Sequence, residues 1–323
     1  MKEFTIKRNE ENQRFDKYLK KLLPDAATSF LYKMMRKKNI TLNGKKSEGN
    51  EILHSGDIVR LFFSDETFAK FSGDTRQADD EFSLLSKFPL GGIRIVYEDD
   101  DILIADKPFN MLSQKASPSD VSANEHLLGY LIRTGKLTRE SFATFRPSVC
   151  NRLDRNTTGL ILMGISLKGS QELSRMLRER TIGKYYLAVV SGILTKPAHQ
   201  KGYLIKNRHT NCVEIRSTAD SDDAKPIETA YRPLYQANNT TLLEVHLITG
   251  KTHQIRAHLA SIGHPIIGDP KYGNPIVNRT FAMDYNVKAQ LLHAYRISFP
   301  DGRTFTAETP KTFLRISPDY RIS

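Results

Sequence analysis

The chain has 323 residues, 39% hydrophobic and 26% charged, which is enough apolar surface to bury a core, and no run approaches the roughly 18 apolar residues of a membrane span. Its 48 Lys and Arg outnumber 36 Asp and Glu, and the resulting +12 favours a polyanionic partner, nucleic acid ahead of an acidic membrane. Two cysteines, Cys150 and Cys212, exclude a disulfide framework and a four-cysteine zinc site; the opening MKEFTIKRNEENQRF lacks the apolar segment of a secretory signal, so a reducing, cytoplasmic location is expected.

The length predicts two domains, and the charge shows where to divide them. Residues 1–64 carry +6, from 14 Lys/Arg against 8 Asp/Glu, and residues 65–90 carry −3, from 3 against 6. The second stretch, polar and acidic with a Ser-Gly-Asp break, shows no helical or strand period. It is expected to be a linker between a small basic domain at 1–64 and a large domain at 91–323.

In the small domain, QRFDKYLKKLL puts Phe15, Leu19 and Leu22 on one helical face, and Pro24 ends that helix. Thr28 or Ser29 is the expected N-cap of a second helix, FLYKMMRKK, with Phe30, Leu31, Met34 and Met35 inward. Lys33, Arg36 and Lys37 share its outer face and Lys38 extends the cluster. ITLNGKK then alternates around Asn43-Gly44, a tight-turn signal, and the strand DIVRLFF follows Gly56. A basic helical face beside a short sheet suits RNA phosphates, which need no base readout; the alternative is an ordinary solvated face. The ordered set of Arg14 to Leu19, the basic helix, the Ile40 to Lys45 turn and Gly56-Asp57-Ile58-Val59 resembles the S4-like (alpha-L) RNA-binding domain over roughly residues 13–63. The resemblance implies RNA contacts through Lys33, Arg36, Lys37 and Lys38.

From Gly91 onward β-rich runs dominate: IRIVYED, ILIADKP, LILMGIS, YYLAVV, PIETAYRPLY, LLEVHLIT, LLHAYRISF and RTFTAE. Three segments read as helices: NEHLLGYLIRTG, LKGSQELSRMLRER and THQIRAHLASIG. Strands so outnumber crossover helices that the expected fold is α+β, around a mixed, mostly antiparallel sheet.

Three segments of this domain can carry chemistry. In NRLDRNTTGLILMGIS, Asp154 lies in a polar loop between Arg152 and Arg155, and two flanking guanidiniums are expected to keep it ionised, as a nucleophile or base rather than an acid. In LRERTIGKYYLAVVSG, Tyr185 and Tyr186 face opposite sides of a strand, so that one packs in the core and the other lines a pocket. In LITGKTHQIRAHLASIGHPIIGDPKYG, Thr252 is the expected cap of a helix ending at Gly263, with Lys251, His253 and Arg256 near its N-terminal end, where anions are favoured. His253 and His258 are five apart with no Glu between them, so a metal site is rejected. No phosphate-binding loop or dinucleotide fingerprint is present, and no cofactor is expected.

Together these segments resemble the RluA-type family of RNA pseudouridine synthases. The carriers are Arg152-Leu153-Asp154 with Thr158-Gly159; Lys184, Tyr186, Leu187 and Ala188; Thr249 to Arg256, Gly263 to Pro265 and Gly268 to Gly273; and Asp106-Lys107-Pro108. The resemblance spans about residues 91–323, and its combination with an S4-like module is similar to the members that modify large-subunit ribosomal RNA. It implies Asp154 as the essential carboxylate, Arg256 as its ion-pair partner, Tyr186 as the ring that stacks on a flipped uracil, and Arg152 as the group that fills the vacated space. Lys251 is counted with the RNA contacts. The family commonly has His before Arg-Leu-Asp; Asn151 stands here, so no step can rely on an imidazole at that point.

Three other readings stay open: a catalytically silent RNA-binding assembly factor, a synthase directed to transfer RNA, and a glycoside hydrolase. The last wants two carboxylates about the scissile bond, and no second candidate stands out in these motifs: Asp269 is a possibility, but its Gly-Asp-Pro setting reads as a turn.

Overall fold

The computed structural model describes residues 1–73, 75–206, 213–219 and 223–322; Cys212 lies outside the described residues. The chain forms two compact units: Met1–Ile104 with Gln114–Asn151 and Leu162–Arg175, and Ala105–Ser113 with Arg152–Ile161 and Met176–Ser323.

The first unit opens with strands β1 (Lys2–Thr5), β2 (Ile40–Leu42) and β3 (Ile58–Leu61), antiparallel in the order β1-β3-β2, and helices α1 (Phe15–Leu22) and α2 (Thr28–Arg36). Helical spacing turns Phe15, Leu19 and Leu22 of α1 and Leu31 and Met35 of α2 into one core with Val59 and Leu61 of β3. Asn43 and Gly44 both adopt positive φ, 51° and 73°, as a tight turn of type I′ demands. Neither Thr28 nor Ser29 caps α2: both lie inside the helix, and Ala27 holds the N-cap with no side-chain bond.

Residues 65–90 are not the unpatterned linker that their composition suggests. They contain α3 (Asp65–Phe71) and α4 (Thr75–Ser86). Ser64 caps α3 by accepting from the Thr67 amide, Asp65 and Glu66 complement its N-terminal dipole, and Phe68 and Phe71 pack on the core of the preceding residues. Two apolar contacts on so short a helix set up no recognisable period, which is why it escapes a reading of hydrophobic pattern. Beyond β4 (Arg94–Glu98) and β5 (Ile102–Lys107), helix α4 meets α5 (Ala123–Arg133) and α6 (Arg139–Thr144). Phe82 packs edge-on to Phe142, and Arg139 pairs with Asp79 at 2.8 Å. The buried Glu10 carboxylate accepts the Thr144 hydroxyl, which ties the N-terminal residues into the same unit. β6 (Ser148–Val149) pairs with the end of β7 (Thr158–Gly164), and α7 (Leu167–Glu179) follows.

The second unit is built on β8 (Gly183–Ser191), β9 (Ala198–Lys206), β10 (Val213–Arg216), β11 (Lys225–Ala237), β12 (Thr240–Leu247) and β13 (Leu292–Ser298), in the order β10-β9-β11-β12-β8-β13. All these neighbours are antiparallel; β7 joins β13 in parallel, and β14 (Thr304–Thr306) adds an antiparallel partner. This is the mixed, mostly antiparallel sheet of an α+β protein. Leu187–Val190 and Thr240–Val245 are buried as continuous runs, so β8 and β12 are covered on both faces.

The helices of the second unit are α8 (Gln254–Ser261), α9 (Pro275–Tyr285) and α10 (Lys311–Ile316). Two positions fix where the site can form. Gly159 enters β7 at φ +110°, and a Cβ there would lie 2.2 Å from the Ala294 carbonyl oxygen, so only glycine allows β7 to close on β13. In β13 the register shifts between Ala294 and Arg296, a bulge that places Ala294 opposite Tyr186 and Arg296 opposite Tyr185.

Candidate active site

Asp154 lies in the loop that leads into β7, and its neighbours are fixed on either side through their backbones. Ser113 Oγ donates to the Leu153 carbonyl at 3.0 Å and accepts from the Leu153 amide at 2.9 Å. Lys107 Nζ donates to the Arg155 carbonyl at 3.1 Å, and to those of Met111 at 2.8 Å and Pro108 at 3.2 Å. The Thr157 amide closes the turn onto the Asp154 carbonyl at 3.0 Å. The carboxylate is therefore carried on a rigid loop although the loop itself is polar and irregular.

The charge that meets it comes from α8. Arg256 Nη1 donates to Asp154 Oδ2 at 2.7 Å, whereas neither Arg152 nor Arg155 pairs with Asp154 among the described residues. The partner comes from 102 positions away, while Arg152 and Arg155, the sequence neighbours, are exposed. Arg256 is 4% exposed, and its other edge makes a two-pronged bond to Asp269, Nε to Oδ2 at 2.7 Å and Nη2 to Oδ1 at 2.8 Å. The amides of Lys271 and Tyr272 also donate to Asp269 Oδ1, at 2.9 and 3.1 Å. Burial works against the charge on both partners, but their mutual bonds win: Arg256 is raised above the ordinary arginine range and Asp269 held below the ordinary carboxylate range. Asp269 balances the buried guanidinium, and Asp154, 30% exposed, faces the cavity.

Tyr186 reaches that cavity from β8, on the face that it shares with Ala294 and Val245. Burial, aided by the charge of Asp154, pushes its phenol well above the usual tyrosine value, so it stays protonated at neutral pH. Tyr185 turns to the opposite face, stacked on His246 at 4.6 Å beneath the Arg296 guanidinium at 4.1 Å. Arg152 and Lys251, both exposed, stand at the rim. Asp154, Tyr186, Arg256, Arg152 and Lys251 thus line one cavity of about 60 Å³. Lys33, Arg36, Lys37 and Lys38 belong to the first unit, where all four are exposed.

Thr252 does not cap α8. His253 occupies the N-cap in the left-handed region, φ 55°, without a side-chain bond to the helix, and Gln254 Oε1 reaches back to accept from the Lys251 amide and the Thr249 hydroxyl. His253 Nε2 lies 3.9 Å from Asp154, and Tyr272 Oη lies 3.0 Å from its Nδ1. Burial lowers the His253 pKa, with Asp154 opposing, which favours the neutral ring. Asn151 lies in the first unit, where its Oδ1 accepts from the Leu162 amide at 2.7 Å. No cluster of metal-ligating side chains occurs among the described residues.

Sequence reasoning missed Ser113 and the pairing role of Asp269, and noted Lys107 only as a motif residue. A lone serine gives no signal. Asp269 sits in a turn as expected, and the turn aims its carboxylate inward.

A family model described as RNA pseudouridylate synthase matches residues 101–261. The chain is 30% identical over 312 residues to ribosomal large subunit pseudouridine synthase D of Nitrosomonas europaea, covering 95% of this chain and 84% of that protein. It is 32% identical over 293 residues to ribosomal large subunit pseudouridine synthase C of Rickettsia prowazekii, covering 88% of each. Among solved structures, the human protein RNA Pseudouridylate Synthase Domain Containing 4 shares the fold, with a TM-score of 0.56 and 17% identity over 76% of this chain and 97% of that one.

Two measurements probe the mounting of the site. Asp269→Asn leaves the buried Arg256 charge to Asp154 alone and strips its other edge of a carboxylate; urea unfolding is expected to show a loss of about 3 kcal/mol, and an unchanged midpoint would dissociate Asp269 from the ion pair. Burial pushes Lys107 down to about 7 from 10.5, so between those values the unfolded chain binds the extra proton and stability rises with pH. Lys107→Met should lower stability through three orphaned carbonyls and flatten that rise; equal midpoint shifts between pH 7 and 9.5 in both proteins would contradict it.

Proposed function

The chain belongs to the RNA pseudouridylate synthase family, and from that premise we propose that Asp154 is the carboxylate with which it isomerises uridines of large-subunit ribosomal RNA to pseudouridine. The chain is thereby an isomerase that needs no redox step and no phosphoryl donor. The observation that carries the assignment of Asp154 is the three-membered chain Asp269–Arg256–Asp154, which ends in one half-exposed carboxylate inside a tyrosine-lined cavity.

The reaction breaks the bond between uracil N1 and ribose C1′, turns the base, and rejoins it through C5. Both routes to the break, attack on C1′ and removal of a sugar proton, need an ionised carboxylate at the ribose. Arg256 holds Oδ2, while Oδ1 has no hydrogen-bond partner among the described residues and is the oxygen that faces the sugar. Tyr186, kept protonated, stacks on the uracil and donates through its hydroxyl; the proton lost from C5 when the new bond forms passes to solvent, and N1 takes one up in its place. The cavity, at about 60 Å³, is far below the roughly 300 Å³ of the smallest common ligand sites. Entry of an everted uridine therefore moves Arg152 and Lys251 off the rim, and Arg152 takes up the space left in the RNA. The glycosidase reading does not fit: Asp269, the second acid, is buried and both its oxygens accept from Arg256 or backbone amides.

Residues 1–64 supply the second part of the reading, as an S4-like module that binds RNA phosphates through Lys33, Arg36, Lys37 and Lys38. Among the described residues no helix is long and apolar enough to cross a membrane. The proposed place of action is the cytoplasm, where ribosomal RNA is made accessible.

Asp154→Asn is expected to keep the fold and RNA affinity and to abolish pseudouridine formation on ribosomal RNA from a strain lacking the gene; wild-type-like turnover would remove Asp154 from the chemistry. Because Phe68 and Phe71 pack on the N-terminal core, substituting its cations is a cleaner probe than deleting the module. Alanine at 33, 36, 37 and 38 together should weaken RNA binding and flatten its salt dependence, by about 0.9 in log–log slope per lost phosphate contact; an unchanged slope would show the face to be merely solvated.

A further inference from the structure

A second cavity adjoins the first. It measures about 380 Å³, within the roughly 300–1,000 Å³ typical of small-ligand sites. Leu292 lines both, and Gln290, on the second, donates to the hydroxyl of Thr157, on the first, at 3.4 Å. Leu291, Leu292 and Phe313 make it apolar inside. Its rim is cationic: Lys288 precedes β13, while Lys311 and Arg315, four residues apart, share one face of α10. All three are exposed, and no Asp or Glu lines the cavity.

Phe109 stands at its edge, 46% exposed. A large exposed aromatic on a turn has no packing reason to be there, yet this turn is fixed. The Lys107 ammonium bonds the carbonyls of Pro108 and Met111, on either side of Phe109-Asn110, and also that of Arg155 beside Asp154. One buried side chain therefore sets the position of the Phe109 turn relative to the Asp154 loop.

An exposed ring, an apolar recess and a cationic rim with no acid match an unstacked nucleotide: the base stacks on the ring and the phosphates meet the cations. We propose that this cavity takes a second unstacked nucleotide of the substrate RNA, its base against Phe109 and its flanking phosphates on Lys288, Lys311 and Arg315. The enzyme then selects RNAs that evert a second nucleotide near the target uridine, and both grips bear on one rigid loop. This rests on Asp154 marking the reaction centre.

The test uses the full-length protein and deproteinised large-subunit ribosomal RNA from a strain lacking the gene. Loss of pseudouridine formation in Asp154→Asn beside an active wild type tests the Asp154 reading, and filter binding over a range of salt tests the cavity without reference to turnover. Lys311→Ala with Arg315→Ala should weaken binding about tenfold and flatten the log–log salt slope by roughly 1.5 to 2. Phe109→Ala should weaken binding about tenfold with the slope unchanged, since stacking releases no counterions. Both losses should appear in KM rather than kcat. Lys196→Ala with Lys225→Ala, two exposed cations outside the cavity, is the control. Unchanged affinity in the first two variants, or an equal loss in the control, overturns the proposal. A flattened slope with Phe109→Ala inert reduces the rim to backbone contact and overturns the base pocket. Variant effects as stated with an active Asp154→Asn protein would support the cavity and sink the Asp154 reading instead.

Discussion

One buried guanidinium organises the catalytic unit. Arg256 has two edges and meets a carboxylate on each: Asp269 along one, Asp154 at the end of the other. Burying a lone arginine in this position would be prohibitive, and a single-carboxylate pair would spend that carboxylate on neutralisation. With two acids the functions separate. Asp269, sealed and further bonded by the Lys271 and Tyr272 amides, balances the charge. Asp154, half open, is oriented without being consumed. Beside Asp154, burial keeps the phenol of Tyr186 protonated.

The same logic extends to the loop that carries Asp154. An irregular polar segment is ordinarily mobile, and a reaction at ribose C1′ tolerates little misplacement. Here the backbone on both sides of the carboxylate is bonded from the 105–113 segment, by Ser113 to Leu153 and by Lys107 to Arg155. Gly159 then lets β7 come against β13 closely enough for Thr158 Oγ1 to lie 2.7 Å from His293 Nδ1. The placement of Asp154 therefore rests on three separate chain segments and not on the regularity of any one of them.

Much of this was legible in the sequence, for identifiable reasons. Long apolar runs such as Leu160 to Ile165 and Tyr185 to Val190 announce strands because central strands are buried on both faces, and the 3.6 period of α1 and α2 survives because each buries one clean stripe. The helices that escaped lack such a stripe. α3 buries little, and α9 turns Ile276 and Met283 to solvent, 79% and 78% exposed, so its hydrophobic pattern is inverted. α9 did carry one local sign: Asn274 caps it by accepting from the Ile276 and Val277 amides, with Pro275 at the first helical position. The site residues were readable by motif, and the resemblance named Arg256 as the partner of Asp154. Adjacency alone pointed to Arg152 and Arg155, and only the fold brings in Asp269 behind Arg256. Side-chain-to-backbone bonds such as those of Ser113 leave no trace in composition or period at all.

The recess at Asp154 measures about 60 Å³, small against the roughly 300 Å³ of the smallest common ligand sites, and on the proposed reading the target uridine has to be everted to reach it. Eversion costs a few kcal/mol, and less where the RNA already bulges or loops, so the cost itself discriminates among uridines of equal chemistry. Phosphate contacts of the kind proposed for Lys251, Arg152 and the α2 face would add affinity to any RNA without supplying that discrimination. The selective element has to be geometric: a fixed distance between the point where the target uridine enters and any other point where the strand is gripped. A loop pinned at Leu153 and Arg155, and sharing the Lys107 ammonium with the Phe109 turn, is a structure in which such a distance is set by the protein before the RNA arrives.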